Sequence, residues 1–207
     1  MKISENELSL LREAIKLYMR PDRYQHTLGV EELAKRFGEA ILPESIEELQ
    51  AAALLHDITK ELSYSEQINI LDKNGVSLTS EDLDTAPALH SFTASYAIRD
   101  HFPRFATENV LSAVSKHTLG SNDMSVFDKI IFVADFAEPG RKYESCIRTA
   151  LYLEDFLFSE TSNERKLESL DASAVMAIEA TVESVKNKKQ KVHSNTLKFY
   201  EKLTKNL

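Results

Sequence analysis

The chain has 207 residues, enough to bury a real core without disulfide or metal staples, and one domain spanning 1–207 is the expected organisation. Its 43% hydrophobic and 28% charged residues suit a globular protein, and only five Gly and five Pro interrupt it, which leaves room for many long helices. A net charge of −8 argues against a nucleic-acid partner, and the single cysteine, Cys146, excludes an internal disulfide and a cysteine-based zinc site.

No stretch approaches the roughly 18 apolar residues of a membrane span, and no N-terminal apolar run precedes a cleavage-like site, so the expected location is the cytoplasm, away from membranes. The pattern along the chain is helical throughout. Asn6 to Met19 carries Leu8, Leu11, Ile15 and Tyr18 on one face, and Pro21 stops it. Asp22 to Phe37 turns His26, Val30, Leu33, Ala34 and Phe37 inward. Ser45 to Glu61 does the same with Ile46, Leu49, Ala53, His56 and Lys60. Ser65 to Lys73 ends at Asn74-Gly75. Ser91 to His101, Thr107 to His117 and Ser125 to Phe136 come next, then Tyr143 to Phe158. A long segment from Asn163 to Lys186 is striped by Leu167, Leu170, Ala174, Ile178, Val182 and Val185, and Asn195 to Asn206 closes the series. Sustained alternation is absent, so no strand is predicted.

Several ionisable residues stand where an apolar helix face expects none. The run Ala52-Ala53-Leu54-Leu55 ends abruptly in His56 and Asp57, and two such groups at a buried helix end are costly unless paired or bound to a metal. Asp135 sits inside Ile130 to Phe136, His26 lies on the apolar face of its helix, His90 opens a helix after a proline-containing loop, and His117 ends one. Singly, each fits a satisfied polar group in a core; together they point to a metal. Lys186, Lys188, Lys189 and Lys191 read as a solvated helix end favoured by the helix dipole. His101 and His193 read as surface residues and Cys146 as a small core filler.

The order His, His-Asp, His, His, Asp resembles the HD superfamily of metal phosphohydrolases. The segments Arg23 to Val30, Leu54 to Ser63, Lys116 to Gly120 with Met124, Asp128 to Arg141 and Thr196 to Tyr200 are similar to the bacterial YqeK-type symmetrical diadenosine tetraphosphatases. That resemblance implies an all-α fold, an HD-domain helical bundle of five core helices with additional C-terminal helices. It implies an iron-type metal and hydrolysis of diadenosine tetraphosphate, or related dinucleoside polyphosphates, to two ADP by a water activated on the metal.

The expected ligands are His26, His56, Asp57 and Asp135. Imidazole plus carboxylate suits Fe, Mn, Zn or Ni better than Mg. His90 and His117 either complete a second metal position bridged by Asp57 or hydrogen-bond phosphate oxygens. Asp57 and Lys60 are the expected catalytic residues, with Lys60 one helical turn after His56 and able to place a point charge on phosphate. Arg141, Thr118 and Thr196 join His26, Lys60, His90, His117 and Asp135 as expected substrate contacts, although helix capping is an ordinary use of both threonines. Three rival functions are a nucleotidase acting on nucleoside monophosphates, a nucleotide-binding sensor without turnover and a helical interaction scaffold. The sequence leaves monomer and homodimer open.

Overall fold

The structure, a computed structural model, describes residues 2–157, 159 and 162–205. Among these are eleven α-helices and no strand. They are α1 (Glu5–Ile15), α2 (Pro21–Ile41), α3 (Ile46–Leu55), α4 (Tyr64–Lys73), α5 (Ser80–Asp84), α6 (Leu89–His101), α7 (Glu108–Lys116), α8 (Val126–Ala137), α9 (Glu144–Leu157), α10 (Asn163–Asn187) and α11 (Ser194–Thr204). The predicted all-α bundle with extra C-terminal helices is present, and no helix of the described residues is long and apolar enough to cross a membrane. Phe158 and Asn206, the predicted ends of two helices, lie outside the described residues.

The helix starts obey local chemistry. Ser4 with Glu7, Ser63 with Glu66, Thr79 with Asp82 and Ser125 with Asp128 each form a reciprocal capping box, and Pro21 occupies the first turn of α2, where its missing N–H is not needed.

Helix α3 is the axis of the fold. From Leu49 to Leu55 every residue is buried, so it is enclosed on all sides, by α1, α2, α7 and α8. Leu49, Leu54, Leu55 and Ile58 are essentially inaccessible to water. At about 1.5–3 kcal/mol per buried aliphatic side chain, their burial rivals the net stability of a typical domain. That is what allows the same segment to bury His56 and Asp57 at its end. A buried ion pair aligns the first three helices: Arg12 donates to both oxygens of Glu31 from Nε (3.0 and 2.9 Å), and Gln50 Nε2 donates to Glu31 Oε1 at 2.9 Å. The C-terminal layer packs α10 across α8 and α9, with Lys129 of α8 paired to Asp171 of α10.

Two expectations need correction. The helix predicted over Ser45 to Glu61 ends at Leu55, and residues 56–62 run as tight turns closed by Ile58 N to Leu55 O, Lys60 N to Asp57 O and Leu62 N to Thr59 O. Thr59 gives the reason: its hydroxyl donates to His90 O (2.9 Å) and meets Thr93 Oγ1 (2.8 Å), anchoring the segment to α6 instead of to its own helix. His193, expected at the surface, is 5% exposed. Its Nδ1 accepts from Asn195 N at the start of α11, and its Nε2 lies 3.1 Å from Asp82 Oδ1.

Candidate metal centre and cavity

Four helix ends and one helix face deliver one ring of side chains. His26 comes from α2, His56 caps α3, Asp57 is the next residue, His90 is in the first turn of α6, His117 caps α7, and Asp135 lies in the last turn of α8. His56, Asp57, His90 and His117 are all buried, and His26 is nearly so.

The outer nitrogen of every histidine is spent on an oxygen. His56 Nδ1 is 2.6 Å from Ala53 O, His117 Nδ1 2.7 Å from Val114 O, His90 Nδ1 2.9 Å from Pro87 O, and His26 Nδ1 3.1 Å from Glu138 Oε1. Carbonyl and carboxylate oxygens only accept, so Nδ1 carries the proton and a neutral ring turns its Nε2 lone pair inward. Metal-ligating histidines are oriented in this way by an outer acceptor. The inward atoms converge on two carboxylates. Asp57 Oδ2 faces His56 Nε2 (3.4 Å) and His26 Nε2 (3.9 Å), and Asp57 Oδ1 faces His90 Nε2 (3.1 Å) and His117 Nε2 (3.6 Å). Asp135 Oδ1 lies 3.0 Å from His26 Nε2 and 3.8 Å from His56 Nε2.

Lone pairs and carboxylates turned toward one another are costly unless a cation or protons lie between them. Burial raises the carboxyls of Asp57 and Asp135, but the surrounding histidines outweigh it and hold both well below the ordinary range, so both are ionised. Burial pushes His26 down, yet its ion pair with Asp135 and its hydrogen bond to Glu138 prevail and raise it to about 9. His90 is pushed down to about 4 by burial, against the pull of Asp57, with His117 and Lys60 adding to the fall. The Nε2 atoms of His26 and His56 are buried without a hydrogen bond. Three sets lie close enough to share an ion: His26, His56 and Asp57; His56, His117 and Asp135; and Asp57, His90 and His117. The donors therefore fit a divalent transition metal, and Cys146 belongs to none of these sets.

Around the ring stand three cations. Lys60 Nζ is 3.1 Å from His90 Nε2 and 3.2 Å from its Nδ1, and burial lowers its pKa against the opposing pull of Asp57 and Asp135. Lys60 thus reaches the ring from the turn after α3, not from the helical position that its spacing from His56 predicts. Arg141 donates from Nη2 to Asp135 Oδ1 (2.8 Å) and Asp135 O (2.9 Å). Arg23 donates from Nη1 to Asp57 Oδ2 (2.8 Å), while its buried Nε has no acceptor. Thr118 Oγ1 is 3.1 Å from His90 Nε2 and 3.0 Å from His117 Nε2.

A cavity of about 550 Å³ opens beside the ring, lined by His117, Thr118, Asp135 and Arg141, by Phe132, Phe136 and Tyr143, and on α10 by Thr181, Ser184 and Lys188. Thr196 is not among its lining residues. Its hydroxyl donates to Leu119 O at 2.8 Å, which fixes the turn after His117, so it supports the site from behind. Arg23, Glu138 and Tyr143 were not singled out from the sequence as site residues. Arg23 had a signal, since it lies three residues before His26 on one helix face. Glu138 had a weaker one, a lone acid before Pro139-Gly140.

Residues 23–139 match the HD domain family model. A protein of Halalkalibacterium halodurans named symmetrical bis(5'-nucleosyl)-tetraphosphatase is 26% identical over 197 residues, covering 92% of this chain and 94% of its own. One of the same name from Bacillus subtilis is 31% identical over 134 residues, covering 62% of this chain and 68% of its own. The crystal structure of a predicted HD superfamily hydrolase, described as involved in NAD metabolism, from Clostridium acetobutylicum superposes with a TM-score of 0.82 at 26% identity, covering 96% of this chain and 97% of that one.

Proposed function

This chain belongs to the HD domain family, and on that footing we propose that it hydrolyses dinucleoside tetraphosphates symmetrically, diadenosine tetraphosphate giving two ADP. The observation that carries the reading is the convergence of four histidine Nε2 atoms and two ionised carboxylates beside a cavity that also carries Arg141 and Thr118.

His26, His56, Asp57 and Asp135 hold one transition metal, of the iron type by its donor set. Bound there, such an ion supplies Lewis-acid activation of water at neutral pH. His90 and His117 serve the phosphate side. Lys60 Nζ already stands 3.1 Å from His90 Nε2, where it competes with a second cation and supplies a proton donor in its place.

The protein's own groups then do three things. Arg23 and Arg141, each anchored on a ligand carboxylate, fix those carboxylates and offer their remaining N–H groups to phosphate oxygens. Lys60 neutralises the charge that develops when the bridging oxygen leaves. Thr118 and Arg141 hold one nucleoside diphosphate half at a set distance from the ring, which selects an inner phosphorus from a nearly symmetric bridge. The oxygen of water joins that phosphorus, the bond from it to the oxygen bridging the two inner phosphates breaks, and a nucleoside diphosphate departs with the electron pair.

The test is product analysis of the metal-loaded protein acting on diadenosine tetraphosphate in water enriched with heavy oxygen. Two ADP, one of them labelled on its terminal phosphate, is the expected result. ATP plus AMP rejects the half-site reading, and nucleoside plus phosphate from a monophosphate substrate establishes the nucleotidase instead.

A further inference from the structure

Tyr143 stands directly before α9, two residues beyond Arg141, and is 74% exposed although it lines the cavity beside the ring. Among the described residues its ring contacts no other aromatic ring and its hydroxyl makes no hydrogen bond. A lone exposed aromatic is ordinary, but this one borders a cavity whose walls already include Phe132 and Phe136. The residues between the ring and Tyr143 set an order. Arg141 and Thr118, beside the ring, suit phosphate. Tyr143 lies two residues on from Arg141, a reach of at most about 7 Å, which leaves room for a sugar. Beyond the sugar of a nucleotide lies a flat base.

We propose, resting on the hydrolase reading above, that Tyr143 is the stacking platform for the nucleobase of the half that the cavity retains. Tyr143 binds and does not take part in the bond-breaking step. Every base has a π-face, so the platform selects for a nucleobase without choosing which one, and it sets the substrate class as dinucleoside tetraphosphates of any base.

The chain has no tryptophan, which makes Tyr143→Trp a unique fluorescent reporter. In metal-loaded protein, ADP and GDP should each quench Tyr143→Trp, whereas pyrophosphate, which has no base, should leave its emission unchanged. Tyr143→Ala should raise KM for diadenosine tetraphosphate and Kd for ADP together, by roughly 5- to 150-fold, with kcat and metal content within twofold of the wild type, and Tyr143→Phe should restore both constants. Equal quenching by pyrophosphate and ADP overturns the proposal. So does an unchanged KM and Kd in Tyr143→Ala, or a change of molecular mass in that variant in place of a change in affinity, which would make this face a contact between two copies. If the protein fails to cleave diadenosine tetraphosphate, the hydrolase reading falls, while base-dependent quenching by ADP and GDP still upholds the platform.

Discussion

Replacing Gly29 with alanine separates the fold from the site. Gly29 lies inside α2, three residues after His26, and a Cβ built there would sit 2.5 Å from Glu138 Oε2. Ordinary Cβ contacts begin near 3.4 Å, so that oxygen must retreat by about 0.9 Å. It has little freedom to do so: Glu138 is 4% exposed, its Oε2 accepts Gly140 N at 2.5 Å, and its Oε1 holds His26 Nδ1 at 3.1 Å. Losing the outer partner of a ligating histidine costs about 10- to 100-fold in metal affinity or activity, and a misplacement near 1 Å costs on the order of 100-fold in rate. Alanine in a helix interior meanwhile gains about 1 kcal/mol over glycine, which offsets a strained hydrogen bond of similar size. The thermal midpoint should therefore stay within about 4 °C of the wild type, while metal content or kcat/KM falls 10- to 100-fold. Elemental analysis, a melting curve and a rate assay suffice. Glu138→Ala should reproduce the loss, and the double variant should be no worse than Glu138→Ala alone. Wild-type metal content and kcat/KM in Gly29→Ala would refute the orienting role of Glu138.

Asp57→Ala and His56→Ala should each lose bound metal and hydrolysis together, because both are ring atoms that solvent cannot replace; full activity in Asp57→Ala stripped of metal would remove Asp57 from the centre. Lys60→Ala should retain the metal and lose roughly ten- to 150-fold in kcat/KM, about 1.5–3 kcal/mol of charge-assisted contact. An unchanged kcat/KM would make Lys60 a bystander. Acid stability offers another test. Hydrogen bonds from Arg104 first, then from the Ser4 backbone and hydroxyl, lower Glu7 from 4.5 to about 2. A depressed carboxyl stabilises the fold above its unfolded pKa and loses that effect as pH falls through the folded one. Glu7→Gln should thus melt below the wild type above pH 4.5, with the gap closing between about 4.5 and 2. A gap that does not change with pH would assign the effect to shape, not charge.

How much of this was legible in the sequence depends on what each residue answers to. His26, His56, Asp57 and Asp135 stand out as candidates because an ionisable group on an apolar face contradicts its own neighbours, and that contradiction is local. The longer helices were legible for the same reason, since periodicity is local, whereas the five-residue α5 is too short to show a period. The end of α3 was not: nothing in Asp57 to Lys60 breaks a helix, and the turn there is imposed by Thr59 reaching His90 O across the fold. His193 looked like surface beside a lysine cluster because its partner, Asp82, is far away in the sequence. Thr196 was placed at the substrate by pattern, yet its hydroxyl serves Leu119 O. Tyr143 gave no signal, since an exposed aromatic becomes conspicuous only when a cavity adjoins it.

The fastening of α11 has a consequence for the order in which the protein is made. His90 comes after a segment in which Glu81 takes both the backbone N–H and the hydroxyl of Ser194, and Asp82 meets His193. His117 precedes a turn held by Thr196, with Gly120, at a φ of 70°, pressed against Phe199. Helices α2, α3 and α8 pack directly on one another, so they can begin to associate before α11 is made. The contacts that residues 193–199 make beside His90 and His117 form only when that last segment emerges. The backing of these two histidines is therefore completed last, after the other four ring residues can already meet.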